Sequence, residues 1–316
     1  MDKRLASAVS VGYTRGLECV LGRTGRTPAG TVGEKLGAQV GSSIEFMDFR
    51  EYAPGDDLRR IDWAAYARSD RLMVRLYREE VTPHVDFLID RSASMDLPNT
   101  PKAQATLGMA ALLSGAAENT RWSRRVYALQ ANQGNQTNHG DSALAGFEIE
   151  GGDREPAGWA WPGFASETAA TTTKKNTGQR VAHTTGKLQL KRRGLRVVLS
   201  DLLFEGDPES MVSHWADGAA GLWVVQVLAA QDADPRAAAG FDGDVRLMDA
   251  ERGVLQEVRL DAAALRRYRK ALAAHTARWA HALRRVDGQL VTVVAEELMA
   301  NWNIQTLVRG GLLRAM

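Results

Sequence analysis

Apolar residues in this chain follow two spacings. Val85-Asp86-Phe87-Leu88-Ile89 is a short, partly β-branched run behind Pro83, and it predicts a buried strand. Arg124–Gln130, Leu195–Ser200, Leu222–Ala229 and Gln289–Ala295 repeat that pattern. Helical spacing separates them. Pro101 to Asn119 carries Leu107, Ala110, Ala111 and Ser114 at helix-compatible intervals. Asp207-Pro208 starts a second helix, with Asp at the cap and Pro at the first position. Asp261 caps a long helix running to Val286, and a last helix begins near Glu296. Alternating strands and helices predict an α/β fold with a doubly wound, mostly parallel sheet and right-handed crossovers.

The expected organisation is an N-terminal extension over residues 1–80 and an α/β domain over 81–316. Gly22 to Gly41 reads as loop and lacks the ending of a phosphate-binding loop. Tyr52-Ala53-Pro54-Gly55-Asp56-Asp57 is a turn: Pro presets φ and Gly supplies positive φ. Asp57 is expected to cap a short helix through Arg68, with Leu58, Ile61 and Ala65 on one face and Trp63 as a core anchor. Arg71 to Tyr77 alternates as a strand. Asp244–Met248 and Val254–Arg259 read as an added hairpin. Residues 131–186 are rich in Gly, Asn, Thr and Ala, and predict an insertion of one or two helices plus a mobile segment.

Composition narrows the function classes. Among 316 residues, 40 Lys and Arg balance 38 Asp and Glu, so no electrostatic case arises for nucleic acid or an anionic membrane. Cys19 is the one cysteine, which excludes an internal disulfide or a cysteine-based zinc site and leaves a packed thiol. Met1-Asp2-Lys3-Arg4 leads into no apolar signal region, and no uninterrupted apolar run approaches the ~18 residues of a membrane span. The expectation is a soluble, cytoplasmic chain.

Chemistry concentrates at Asp90-Arg91-Ser92-Ala93-Ser94-Met95, directly after the first core strand. A strand-end carboxylate followed by two hydroxyls offers three oxygens to one point, the donor type that Mg²⁺ or Mn²⁺ prefers. Neutral hydroxyls leave such an ion under-neutralised, so it would favour a carboxylate from outside. The competing reading is a turn in which Asp90 or a serine caps the following helix. Asp201 ends another predicted strand. In open α/β sheets ligand groups gather at the carboxyl ends of strands, where Asp90 and Asp201 would meet.

The segments Glu45–Tyr52, Pro54–Trp63, Ala67-Arg68, Leu72–Arg75 and Asp90–Met95, with Ser200-Asp201-Leu202, Ala233-Asp234-Pro235 and Leu247–Glu251, resemble the bacterial domain-of-unknown-function family fifty-eight. The resemblance covers roughly residues 40–316. That family is similar to von Willebrand factor A domains, which implies a doubly wound sheet carrying a metal-ion-dependent adhesion site. It implies Asp90, Ser92, Ser94 and Asp201 as metal residues, while Thr168, Thr171, Thr172 and Thr173 compete for the intervening Thr of the motif. Family members are commonly encoded beside a MoxR-type AAA+ ATPase, which implies that ATPase as partner and a client protein offering a carboxylate. Many members carry N-terminal membrane spans; this chain shows none. The charged residues between Asp48 and Arg68 read as an internal ion-pair lattice more readily than as a docking face.

The expected function is thus a non-enzymatic, metal-dependent interaction module. The alternative is a metal-dependent hydrolase or phosphotransferase. It lacks the second acid of aspartyl-phosphate enzymes, where Ser92 stands, and the Gly-x-Ser-x-Gly elbow. Neither His84 nor His183 is an evident base.

Overall fold

Helix α1 (Lys3–Gly16) and strand β1 (Cys19–Leu21) open the chain, followed by β2 (Phe46–Glu51), α2 (Trp63–Ser69) and β3 (Met73–Tyr77). Next come β4 (His84–Asp90), α3 (Lys102–Asn119), β5 (Ser123–Leu129), β6 (Ala145–Glu148), β7 (Gly186–Lys187) and β8 (Leu195–Ser200). Helix α4 (Pro208–Ala216), β9 (Gly221–Leu228), α5 (Ala230–Ala233), β10 (Gly243–Met248), β11 (Leu255–Leu260) and α6 (Ala262–Arg284) precede β12 (Gln289–Val294), α7 (Ala295–Asn301), α8 (Gln305–Gly310) and β13 (Leu313–Ala315). This computed structural model describes residues 2–22, 46–77, 83–129, 145–149, 151–161, 163, 186–204, 206–237, 243–250 and 253–316. The four candidate threonines between 168 and 173 lie outside the described residues.

The chain divides into Met1–Thr27 with Pro83–Met316, and Pro28–Thr82. Residues 1–27 therefore belong with the sheet rather than with the rest of the extension drawn over 1–80. In the larger unit the sheet order is β12-β9-β8-β4-β5-β6-β7. The first five strands are parallel, and β6 and β7 add antiparallel at one end. This is the doubly wound α/β fold that the alternating pattern predicts.

Both faces of the parallel part are covered, so its strands read as apolar runs instead of strict alternation. Every residue of β4 is buried. Val85, Phe87 and Ile89 join one core with α3, α7 and α8, while Leu88 joins the other with Trp215 of α4 and Trp279 of α6. The two indoles stack with centroids 5.6 Å apart. Helix α3 is apolar on nearly all sides because α1 covers what the sheet does not. Their crossing depends on glycine: a Cβ on Gly12 would stand 2.1 Å from the Gly108 carbonyl oxygen, and one on Gly16 2.0 Å from that of Leu112. Backbones can approach this closely only where no side chain intervenes.

The smaller unit is built on the antiparallel pair β2–β3, with a short 3₁₀ turn at Leu58–Arg60 ahead of α2. Asp57 accepts from the Arg59 amide and opens that turn as its N-cap. Asp62, not Asp57, caps α2: its Oδ1 accepts the amides of Ala64 and Ala65 at 2.9 Å. Its Oδ2 receives Arg75 Nε at 3.0 Å. Arg50 pairs with Asp56 at 2.5 Å, so part of the expected ion-pair lattice exists. Trp63 is not a core anchor. It is 63% exposed, whereas Ile61, which lies ahead of α2 and bridges to Val74, is buried.

The hairpin β10–β11 forms in register from Gly243↔Leu260 to Met248↔Leu255. Its end exposes Met248 and Leu255. Among the described residues, no helix is long and apolar enough to cross a membrane.

Candidate functional site at the carboxyl edge of the sheet

Strands β4 and β8 are adjacent and parallel, with Ile89 opposite Leu199. Their ends therefore deliver Asp90 and Asp201 to one edge, although the two acids are distant in sequence. Asp90 is 5% exposed and Asp201 fully buried. Backbone and hydroxyl donors fix both. Asp90 Oδ1 accepts the Ser92 amide at 2.8 Å, and its Oδ2 accepts the Ser200 hydroxyl at 2.6 Å. The Ser200 Oγ in turn accepts the Leu202 amide at 3.0 Å. Asp201 Oδ1 accepts the Leu203 amide at 2.9 Å, and Gln226 Nε2 donates to the Asp201 carbonyl at 3.1 Å.

The loop after β4 turns as a 3₁₀ helix over Ala93–Asp96, with Ser92 at its cap position. That geometry brings Ser92 Oγ and Ser94 Oγ to 3.2 Å of one another. Ser92 is buried, so its hydroxyl faces the edge rather than solvent. The structure thus brings Asp90, Ser92 and Ser94 together as expected, and sets Asp201 near enough to act on Asp90 electrostatically.

Asp90 is the energetic anomaly of the site. Burial, reinforced by the negative charge of Asp201, pushes its carboxyl up to about 6, although the Ser200 and Ser92 hydrogen bonds pull it down. Among the described residues no basic side chain pairs with it. Asp201 is different. Lys102 Nζ, fully buried at the start of α3, lies 2.7 Å from Asp201 Oδ2 and 2.9 Å from Asp232 Oδ2. Burial alone would disfavour the Lys102 ammonium, but Asp201 and Asp232 outweigh it and raise its pKa above the usual value. Asp232 also caps α5 through the Ala229 amide at 3.0 Å, and its carbonyl accepts from Tyr268.

Lys102, Asp232 and Ser200 were not legible as site residues. One signal existed for Lys102: it opens an otherwise apolar helix, where the helix dipole disfavours a cation. Such a residue needs anionic neighbours, and here it has two.

A divalent ion can be tested against this donor set. Asp90, Ser92 and Ser94 provide oxygen donors, and the under-compensated charge of Asp90 is what a cation would relieve. Among the described residues, no group of three or more His, Cys, Asp and Glu gathers as in a dense metal cage. The oxygen donors of Asp90, Ser92 and Ser94 suit a hard cation that keeps several waters, not one caged by protein ligands alone.

At the opposite edge, His84 lies 2.8 Å from Ser123 Oγ and 2.7 Å from Asp86 Oδ1. Asp86 Oδ2 accepts the Lys191 amide at 3.0 Å. The parallel register sets His84 opposite Ser123, and His84 and Asp86 share one face of β4. Sequence reading assigned His84 no partner, because Ser123 reaches it only through strand pairing.

Fold and edge together define a doubly wound α/β domain with an acid-and-serine site at the carboxyl ends of its strands. The chain belongs to the family described as "Protein of unknown function DUF58", whose model matches residues 48–278. It is 31% identical over 268 residues to uncharacterised proteins of Mycobacterium bovis and Mycobacterium tuberculosis, covering 83% of this chain and 78% of each relative. No solved structure matches it.

Proposed function

We propose that this chain is a non-enzymatic protein-interaction module whose carboxyl-edge site works with Mg²⁺ or Mn²⁺. The observation that carries the reading is Asp90, a buried carboxylate with hydrogen bonds but no countercharge among the described residues, beside two converging serine hydroxyls. Asp90, Ser92 and Ser94 would hold the ion, with Asp201 close by. A bound cation supplies positive charge that attracts a carboxylate from a second protein. The residues of the chain do the rest. Ser200 and the Ser92 amide fix the Asp90 carboxyl, and the 3₁₀ turn aims the hydroxyls.

The resemblance of residues 45–95 to the family supports a MoxR-type AAA+ ATPase as partner, with the chain as adaptor in complex assembly or maturation. The client would offer the carboxylate. A titration of the purified chain against such an ATPase, with Mg²⁺ and then with EDTA, tests both parts. Binding that needs Mg²⁺ and is lost in Asp90→Ala is the expected result. Binding indifferent to both would leave a scaffold without a metal role.

The hydrolase reading has one observation in its favour, the Ser123–His84–Asp86 chain. Strand register accounts for that chain as the closure of the amino edge of the sheet, so the non-enzymatic reading is preferred.

A further inference from the structure

Lys102 stands where the acid edge of the sheet meets a buried ion-pair network. Its side chain is wholly buried, and its ammonium contacts Asp201 Oδ2 and Asp232 Oδ2. The other Asp201 oxygen is committed to the Leu203 amide. Each oxygen of the distal acid is therefore engaged, one by backbone and one by a resident cation. Asp90 carries no such cation among the described residues.

We infer that Lys102 is a built-in competitor for the distal carboxylate of the site, keeping divalent-cation affinity low until a partner's acid completes the coordination. This rests on the proposed metal reading and adds its regulation. The argument is geometric and electrostatic. A cation on Asp90, Ser92 and Ser94 gains the charge of Asp201 only as far as the Lys102 ammonium gives it up. Asp232 is the acid to which the ammonium can retreat, since it already contacts it. It is held in place as the α5 cap through the Ala229 amide. Two like charges near one carboxylate weaken each other's hold, and the effect is large where water is excluded. The same geometry gives the ligand class: a carboxylate-bearing protein segment, because the missing charge at the ion is then supplied from outside.

The test is a Mn²⁺ titration of the full chain, followed by electron paramagnetic resonance of free Mn²⁺, on wild type, Lys102→Met and Asp232→Asn. Lys102→Met should bind Mn²⁺ at least about tenfold more tightly, because a buried like charge near the ion is removed. Asp232→Asn should bind more weakly, because the ammonium then rests on Asp201 alone. Loss of a positive charge and loss of a negative charge near the ion act in opposite directions, so the two variants should move apart. If Lys102→Met fails to fold, the double variant Lys102→Met/Asp232→Asn removes the charges together, and it should bind more tightly than Asp232→Asn. Mn²⁺ binding that is unchanged or weakened by loss of Lys102, in folded protein, overturns the inference and leaves the metal reading standing. Absence of Mn²⁺ binding in wild type and in every folded Lys102 variant overturns both.

Discussion

The Ser200 hydroxyl donates to Asp90 Oδ2 at 2.6 Å, joining the ends of two neighbouring parallel strands through one buried hydrogen bond. Ser200 is not one of the proposed metal residues, yet it fixes the orientation of the principal acid. Ser200→Ala removes a donor to a buried carboxylate and should cost about 1–3 kcal/mol of stability. Denaturant unfolding of the variant, with chelator present, measures it. An unchanged midpoint would mean that Asp90 is oriented by the Ser92 amide alone.

Asp90 also gives a pH dependence with a defined sign. Its folded value of about 6 lies above the ordinary 3.8, because burial and Asp201 disfavour its charge. The folded chain thus holds this proton more tightly than the unfolded chain does. The stabilising contribution is complete below the unfolded value and is lost as pH rises from about 4 through about 6. In metal-free protein, Asp90→Asn should remove this loss, on the order of 2–3 kcal/mol between those limits. Melting curves of both proteins across that range should converge at acid pH and separate above it. Parallel curves would refute the assignment.

At the opposite edge, His84→Ala should destabilise the chain by about 1–3 kcal/mol, because among the described residues Asp86 then keeps only the Lys191 amide as a hydrogen-bond partner. Ser123 should remain unlabelled by a serine-directed fluorophosphonate. Labelling at Ser123 that disappears in His84→Ala would favour the hydrolase reading instead.

The α1–α3 crossing predicts intolerance at two glycines. Gly12→Ala and Gly16→Ala each drive a methyl group into the backbone of α3. Overpacking of this kind costs about 1–3 kcal/mol or more. By contrast Trp63→Ala, at an exposed position, should stay within about 0.5 kcal/mol. A thermal melt of the three variants separates the two classes.

The sheet was legible because parallel strands covered on both faces must be apolar runs, and β4, β8 and β9 are such runs. Asp90, Ser92, Ser94 and Asp201 were legible because strand ends meet at one edge. Lys102 was not, since its partners come from two other strand-to-helix junctions and no spacing announces them. Trp63 misled because a large aromatic beside Ile61 fits the helix face equally well on paper. The cap at Asp62, one residue before Trp63, decides which of them turns inward. The path of α1 onto α3 was also hidden: glycines that permit contact look, in sequence, like glycines that permit turns.

Strand β1 finds its partner in β13, with Cys19 opposite Ala315 and Leu21 opposite Leu313. During synthesis, β1 must wait until β13 has been made before this ribbon can close. The unit of residues 28–82 is under no such delay, since its strand pair lies within its own span. Biosynthesis should therefore yield a settled small unit first and a finished sheet unit only once β13 has emerged. Until α7 emerges, α3, which carries Lys102, is held by β4 and α1 without its α7 contacts.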